Sequence, residues 1–206
     1  MSISIFEEKM KDTFISIQNE LITYNKQSYS DFQPSDVRNT TFQIMLQQVR
    51  AYFIISYSLS IEHKDAEKQD YMIAEQRIRF DFFIALFSQF ENSINLIIRS
   101  SFTTKQKRIY RFLKENISDK LYNGFHLAKE LRNCIHNNGF YFPDNGNNNT
   151  INFNGKKFEL LYGEGVDFLT WELVAELIVN LIKVLKQIFL MPSIKDIKNP
   201  IVDVCK

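Results

Sequence analysis

The sequence predicts an all-α fold, an up-and-down helical bundle of about five to six helices with a small β-hairpin inserted before the last helix. Only 6 Gly and 4 Pro occur in 206 residues, so long segments without turns are expected. Apolar residues recur every three to four positions, which is typical of amphipathic helices. Asn154-Gly155 separates two short alternating segments and predicts a tight hairpin turn.

The first two helices are predicted within residues 1–62. Apolar side chains form one helical face over residues 3–24, and residues 28–34 are predicted to be a loop. Pro34-Ser35-Asp36 is typical of the start of a helix, which we expect to run over residues 37–61. The charged segment that follows contains neither Pro nor Gly and is interpreted as a helix–helix connection within a single domain of residues 1–206.

Residues 70–190 are predicted to form the core of that domain. The expected elements are a long helix over 70–101, a short basic and aromatic helix over 105–116, a helix that begins at Ser118 or Asp119, an exposed loop over 141–150, the hairpin over 150–162, and a final helix that begins at Asp167 and is ended by Pro192. The broad apolar stripe of the long helix predicts packing against more than one neighbour.

Composition and charge exclude several classes of protein. The net charge of +1 argues against a strongly basic, nonspecific nucleic-acid binder, although a local basic patch is compatible with it. The most apolar segment, residues 168–190, contains four charged side chains, so no membrane span is expected. Cys134 and Cys205 are far apart and no export signal is seen, so the predicted location is the cytoplasm.

The densest group of chemically useful side chains lies in residues 130–139. Arg132 and His136 are four positions apart, so on a continuous helix they project from nearly the same side. Arg132 carries a permanent charge, while an imidazole such as that of His136 exchanges protons near neutral pH. Asn137-Asn138-Gly139 supplies residues that tolerate the left-handed conformation at a helix end. This pairing suits phosphate chemistry without a metal or another cofactor.

The segment resembles the Arg–His motif of the HEPN superfamily, small helical bundles that include metal-independent endoribonucleases and non-catalytic members. Arg132, Asn133 and His136 match the motif in type and order, and the resemblance extends over about residues 71–190. The family usually has four to six residues between Arg and His, whereas this chain has three, and Asn137 stands where the commonest pattern has His. Either the helix end restores the geometry, or the ribonuclease arrangement has been lost.

The resemblance implies a metal-independent endoribonuclease of toxin or defence type that acts as a homodimer, with two motifs forming one cleft. Arg132 and His136 would be catalytic, with Asn133, Asn137 and Glu91 as auxiliary residues. RNA and an antitoxin or effector protein are the implied partners. The alternative is a non-catalytic module that binds RNA, a nucleotide or a protein.

A simpler interpretation stays open, in which Arg132 pairs with Glu130 or Glu91 and His136 only ends a helix. The basic run between the long helix and the motif helix has two interpretations as well, an RNA-binding strip or a solvated helix face. Its candidate RNA-binding residues are Lys105, Lys107, Arg108, Tyr110 and Arg111. His63 and His126 are interpreted as isolated from each other and from carboxylate pairs at metal-ligand spacing, so no metal site is expected. Cys134 is interpreted as a small buried residue.

Overall fold

Helices dominate the computed structural model, which describes residues 3–62, 68–101 and 109–202. Within these ranges the elements are α1 (Ile3–Asp31), α2 (Val37–Glu62), α3 (Lys68–Ser101), α4 (Ile109–Asn116), α5 (Asp119–His136), β1 (Asn149–Phe153), β2 (Lys156–Leu160), α6 (Trp171–Phe189) and α7 (Pro192–Lys195). The predicted all-α bundle with an inserted hairpin is confirmed, and the short α7 is the only described element after the last long helix.

Helix α6 lies at the centre of the bundle and contacts α1, α3, α5 and α7. Its predicted apolar stripe is buried along its whole length, from Leu173 to Ile188. Two details of the prediction were wrong. The N-cap is Thr170, whose hydroxyl accepts from Leu173 N at 3.3 Å, and not Asp167. The helix ends at Phe189, and Pro192 instead begins α7, where its missing N–H costs nothing.

The start of the chain forms a longer helix than expected. Helix α1 continues to Asp31, so residues 28–31 are helical and not part of a loop, because no Gly or Pro interrupts the chain before Pro34. Helix α2 then begins after Asp36, whose carboxylate accepts from Arg38 N at 2.8 Å. The same carboxylate binds the buried Arg38 side chain and the backbone N–H of Ile201, which fastens the C-terminal segment to the bundle.

The long helix α3 supplies the aromatic part of the core and supports α5. Its predicted stripe of Phe83, Phe87, Phe90, Ile94 and Ile97 is fully buried. The rings of Phe87 and Phe90 lie 6.3 and 5.7 Å from the ring of Phe125 on α5. Aromatic pairs at such distances add to the free energy of burial, so α5 is held firmly against α3.

The hairpin is confirmed, with β1 and β2 antiparallel and Ile151 opposite Phe158. Asn154 and Gly155 have φ values of 48° and 77°, as a type I′ turn requires. The hairpin lies against the bundle, where β1 contacts α5 and Asn154 Nδ2 donates to Glu176 on α6 at 2.9 Å. Among the described residues, no helix has the length and apolarity that crossing a bilayer requires.

Candidate functional site

Helix α5 carries the candidate site, and both of its ends are determined by local chemistry. Ser118, one of the two predicted candidates, is the N-cap and accepts from Leu121 N at 3.5 Å. At the other end Gly139 N donates to Cys134 O at 2.8 Å and Asn138 N donates to Ile135 O at 3.2 Å. Asn138 has φ 57°, so this is a Schellman ending. The helix is therefore regular up to His136.

The two sides of α5 differ sharply in polarity. Its inner side is apolar and buried, with Phe125, Ala128, Leu131 and Cys134 facing the bundle. A Cβ at Gly124 would collide with the Asn180 side chain of α6 and would be 2.7 Å from the Phe153 ring of the hairpin, so α5 packs tightly against both at this position. The side chains on the outer side of α5 are polar, and seven of them line one cleft. They are His126, Lys129, Glu130, Arg132, Asn133, His136 and Asn137.

The cleft has a volume of about 830 Å³ and is bounded on its other side by the chain that follows α5. That wall consists of Tyr141, Phe142, Pro143, Asp144, Asn145, Asn147, Asn148 and Asn149. A space of this size is comparable to the sites that hold small ligands. Its lining is unusually polar, with amides, imidazoles, two fixed cations (Lys129 and Arg132) and two carboxylates (Glu130 and Asp144) in place of the aliphatic side chains that line most such sites.

Arg132 is oriented toward the cleft without being locked by a close ion pair. Its side chain is 35 % exposed, and Nη2 lies 3.9 Å from Glu91 Oε2, beyond hydrogen-bond distance. Nη1 donates to Asn133 Oδ1 at 3.3 Å. Among the described residues, the buried Nε has no hydrogen-bond partner. That Nε is out of reach of a ligand, but the two Nη groups keep N–H donors beyond the one given to Asn133, and an anionic ligand can use them.

Glu91 of α3, one of the two carboxylates that the sequence offered as a partner of Arg132, lies next to the Arg132 side chain. Burial raises the pKa of Glu91, and the positive charges of Arg132, His136 and Lys129 partly oppose that shift. Three groups of α5 thus act on one carboxylate of α3. Glu130, the other carboxylate considered as an Arg132 partner, instead contacts Lys129 and His126.

His136 and Asn137 are exposed at the end of α5, beside the half-buried Asn133. Because the helix is continuous, Arg132 and His136 are about 6 Å apart along the axis and about 40° apart around it. With three residues between them, both side chains therefore leave α5 from nearly the same side. Both candidate catalytic residues and both auxiliary Asn residues line the cleft.

A second cluster at the other end of the cleft was missed from the sequence. His126 Nε2 lies 3.4 Å from both Glu130 Oε1 and Asn149 Nδ2. Lys129 Nζ is 3.0 Å from Glu130 Oε1. Burial raises the pKa of Glu130, but these hydrogen bonds outweigh it and leave the pKa below its usual value. The spacing of His126, Glu130, Asn133 and Asn137, which follows one helical face, is a signal that could have revealed the cluster.

The predicted basic strip is only partly described. Lys105, Lys107 and Arg108 lie outside the described residues. Arg111 is exposed and paired with Glu115 at 2.9 Å. The half-buried ring of Tyr110 lies against Phe125 at 5.7 Å and 4.4 Å from Lys129 Nζ, so it supports a cationic side chain of the cleft.

Cys134 faces the core beneath the cleft. The thiol is buried, and burial raises its pKa to about 12, with the charge of Glu130 adding to the effect. It has the properties of an inert packing residue, as expected. In the described ranges no group of three or more His, Cys, Asp or Glu side chains is arranged to hold a metal ion.

In comparisons with protein-family models, curated proteins and solved structures, nothing matched this chain. A function for the cleft therefore has to follow from its own residues and geometry.

Proposed function

We propose that this protein is a HEPN-like, metal-independent endoribonuclease that cleaves RNA through attack by the ribose 2′-hydroxyl. The observation that carries the proposal is that Arg132 and His136 line one open cleft, four residues apart on a continuous helix. A guanidinium with unused donors and an exposed imidazole are the two groups that a phosphodiester needs in such a reaction.

The proposed roles follow from where charge develops. The 2′-oxygen forms a bond to the adjacent phosphorus, the bond from phosphorus to the 5′-oxygen breaks, and the products are a 2′,3′-cyclic phosphate and a 5′-hydroxyl. Arg132 binds the phosphate oxygens, whose negative charge grows in the transition state. His136 takes the proton from the 2′-hydroxyl. Asn133 and Asn137 hydrogen-bond the imidazole or a phosphate oxygen.

A second proton must reach the leaving 5′-oxygen, and His126 is too distant to supply it. His126 and His136 are ten positions apart, which corresponds to about 15 Å along the helix. Two imidazoles at that separation do not reach the same phosphorus. This distance favours the homodimer implied by the resemblance, in which the second proton comes from the motif of the partner chain.

The test is cleavage of a single-stranded RNA in the presence of EDTA. We expect cyclic phosphate and 5′-hydroxyl ends, and a fall in rate of about 100-fold or more in Arg132→Ala and in His136→Ala. Arg50→Ala, which removes an exposed arginine of α2 outside the cleft, is the matched control and should cleave normally. Cleavage that persists in both cleft variants, with folding verified by thermal melting, would refute the assignment.

The homodimer has a separate test. If two motifs share one cleft, a dimer of one wild-type and one His136→Ala chain should lose most of its activity, because it keeps only one of the two imidazoles. Adding an excess of His136→Ala protein to the wild type and letting the subunits exchange should therefore lower the rate per wild-type chain. An unchanged rate per wild-type chain, in a mixture that demonstrably exchanges subunits, would mean that each chain acts alone.

The toxin or defence role, with an antitoxin or effector partner, is proposed from the resemblance. It predicts that expression arrests growth and that His136→Ala relieves the arrest. The second candidate is a non-catalytic RNA-binding module, favoured by the single imidazole near Arg132 within one chain. That alternative predicts salt-sensitive RNA binding without cleavage, weakened by Lys129→Glu and Arg132→Glu.

A further inference from the structure

Three exposed aromatic rings form a cluster at the rim of the cleft. Phe140, Phe142 and Tyr162 are 45 %, 50 % and 53 % exposed. The ring centroids of Phe140 and Phe142 are 6.3 Å apart, and those of Phe142 and Tyr162 are 5.6 Å apart with the rings nearly perpendicular. Contiguous exposed apolar side chains bordering a polar site commonly mark a binding surface. We call these three residues the aromatic rim.

The backbone holds the aromatic rim in a defined arrangement. Phe140 forms an antiparallel bridge with Gly165, Tyr141 N donates to Glu164 O at 3.0 Å, and Gly163 N donates to Tyr141 O at 2.9 Å. Alternate residues of an extended segment face opposite sides. Tyr141 is accordingly buried, while its two neighbours point outward together. These backbone hydrogen bonds hold the segment in place, so the exposure of Phe140 and Phe142 is a property of the folded chain and not of a loose loop.

The aromatic rim adjoins the groups proposed to bind phosphate. Phe142 itself lines the cleft, opposite the outer side of α5 that carries Lys129 and Arg132. A cation that can hold a backbone phosphate, here Arg132, beside exposed rings that can stack on bases is the combination that binds a single-stranded nucleic acid. Asn147 and Asn148 in the same wall offer amides that can hydrogen-bond base edges.

We infer that the aromatic rim is a base-stacking platform, and that the ligand of the cleft is single-stranded RNA with unpaired bases. The inference rests on the proposed function and narrows its substrate class. A paired base inside a duplex is covered on both faces by its neighbours, so it has no face to offer to Phe142. The platform therefore favours single-stranded RNA, whereas Arg132 can bind backbone phosphates of single-stranded and double-stranded RNA alike.

The experiment measures equilibrium binding of a short RNA with 2′-O-methyl riboses, which cannot be cleaved by this chemistry. Wild-type protein should bind the single strand at least about 10-fold more tightly than the corresponding duplex. Phe142→Ala and Tyr162→Ala should each weaken single-strand binding by about 5- to 100-fold. Tyr57→Ala, which removes an equally exposed aromatic ring on α2, is the matched control and should leave binding unchanged.

Equal affinity for single strand and duplex, or normal binding by both rim variants, would overturn the inference. So would a change in molecular mass for Phe142→Ala in sedimentation, because the rim would then be an interface between copies of the chain. The experiments distinguish a failure of the base-stacking platform from a failure of the proposed ribonuclease function. Cleavage that is unaffected by Phe142→Ala removes the platform alone, while rim-dependent binding without any cleavage removes the ribonuclease and keeps the platform.

Discussion

Glu91 on α3 and Arg132 on α5 hold opposite charges 3.9 Å apart, close enough to attract each other and too far apart for a hydrogen bond. The guanidinium is thus balanced by a nearby carboxylate without being saturated by it. We therefore expect the negative charge of Glu91 to weaken the attraction between Arg132 and an anionic ligand.

Replacing Glu91 with Gln should tighten binding of a non-cleavable RNA by about 3- to 10-fold, because a negative charge near the phosphate site is removed. Fluorescence anisotropy at low salt is the measurement. Glu8→Gln, at an exposed position of α1 outside the cleft, should have no such effect. Weaker binding by Glu91→Gln would instead mean that the carboxylate is needed to orient Arg132.

Gly124→Ala should destabilise the protein even though Ala is the better helix former by about 1 kcal/mol. The added Cβ would collide with Asn180 and the Phe153 ring, and overpacking of this kind costs about 1–3 kcal/mol. Asn180 cannot move freely because it donates to Leu121 O at 2.9 Å. Chemical denaturation measures the free energy of unfolding.

The control for the Gly124→Ala experiment is the same substitution made in an Asn180→Ala protein. Once the amide is absent, the cost of Gly124→Ala should shrink, since part of the collision is relieved. A single Gly124→Ala variant that is as stable as wild type would contradict the close packing of α5 on α6.

The stability that Glu130 contributes should depend on pH. Its folded-state pKa lies below the usual value, so the contribution is fully present above the unfolded-state pKa of about 4.3 and is lost as pH falls through the folded-state pKa. Glu130→Gln should therefore lower the free energy of unfolding by about 1–3 kcal/mol at pH 7, and by progressively less below about pH 4.

Urea denaturation at a series of pH values provides the data. Glu164→Gln changes an exposed carboxylate and serves as the control. A constant difference between wild type and Glu130→Gln from pH 7 to pH 3 would show that the contacts with His126 and Lys129 do not depend on charge.

Cys134 should be unreactive in the folded protein. With a pKa of about 12, only about one thiol in 10,000 is ionised at pH 8, and burial also blocks the reagent. We expect no reaction with a disulfide reagent over minutes in a Cys205→Ser variant, where Cys134 is the remaining thiol. Reaction in concentrated guanidinium chloride is the positive control, and prompt labelling of the native protein would disprove the burial.

Much of the fold was predictable from the sequence because it depends on short-range patterns. The period of apolar residues identified α2, α3 and the stripe of α6, and Asn154-Gly155 identified the hairpin. The errors, at the end of α1 and at both ends of α6, concern boundaries where several residues satisfy the same local rule. Asp167 and Thr170 are both acceptable caps, and only packing decides which one is used.

The candidate site also has features that the sequence predicts and features that only the tertiary structure shows. Sequence alone determined that Arg132, Asn133, His136 and Asn137 share one side of a helix, because four-residue spacing on a helix is a local property. Only the tertiary structure decided that the chain after α5 folds back to form the opposite wall of the cleft. It also decided that His126 meets Asn149 and that Phe142 meets Tyr162. Those contacts join distant parts of the chain, and they depend on how the hairpin and α6 pack against α5.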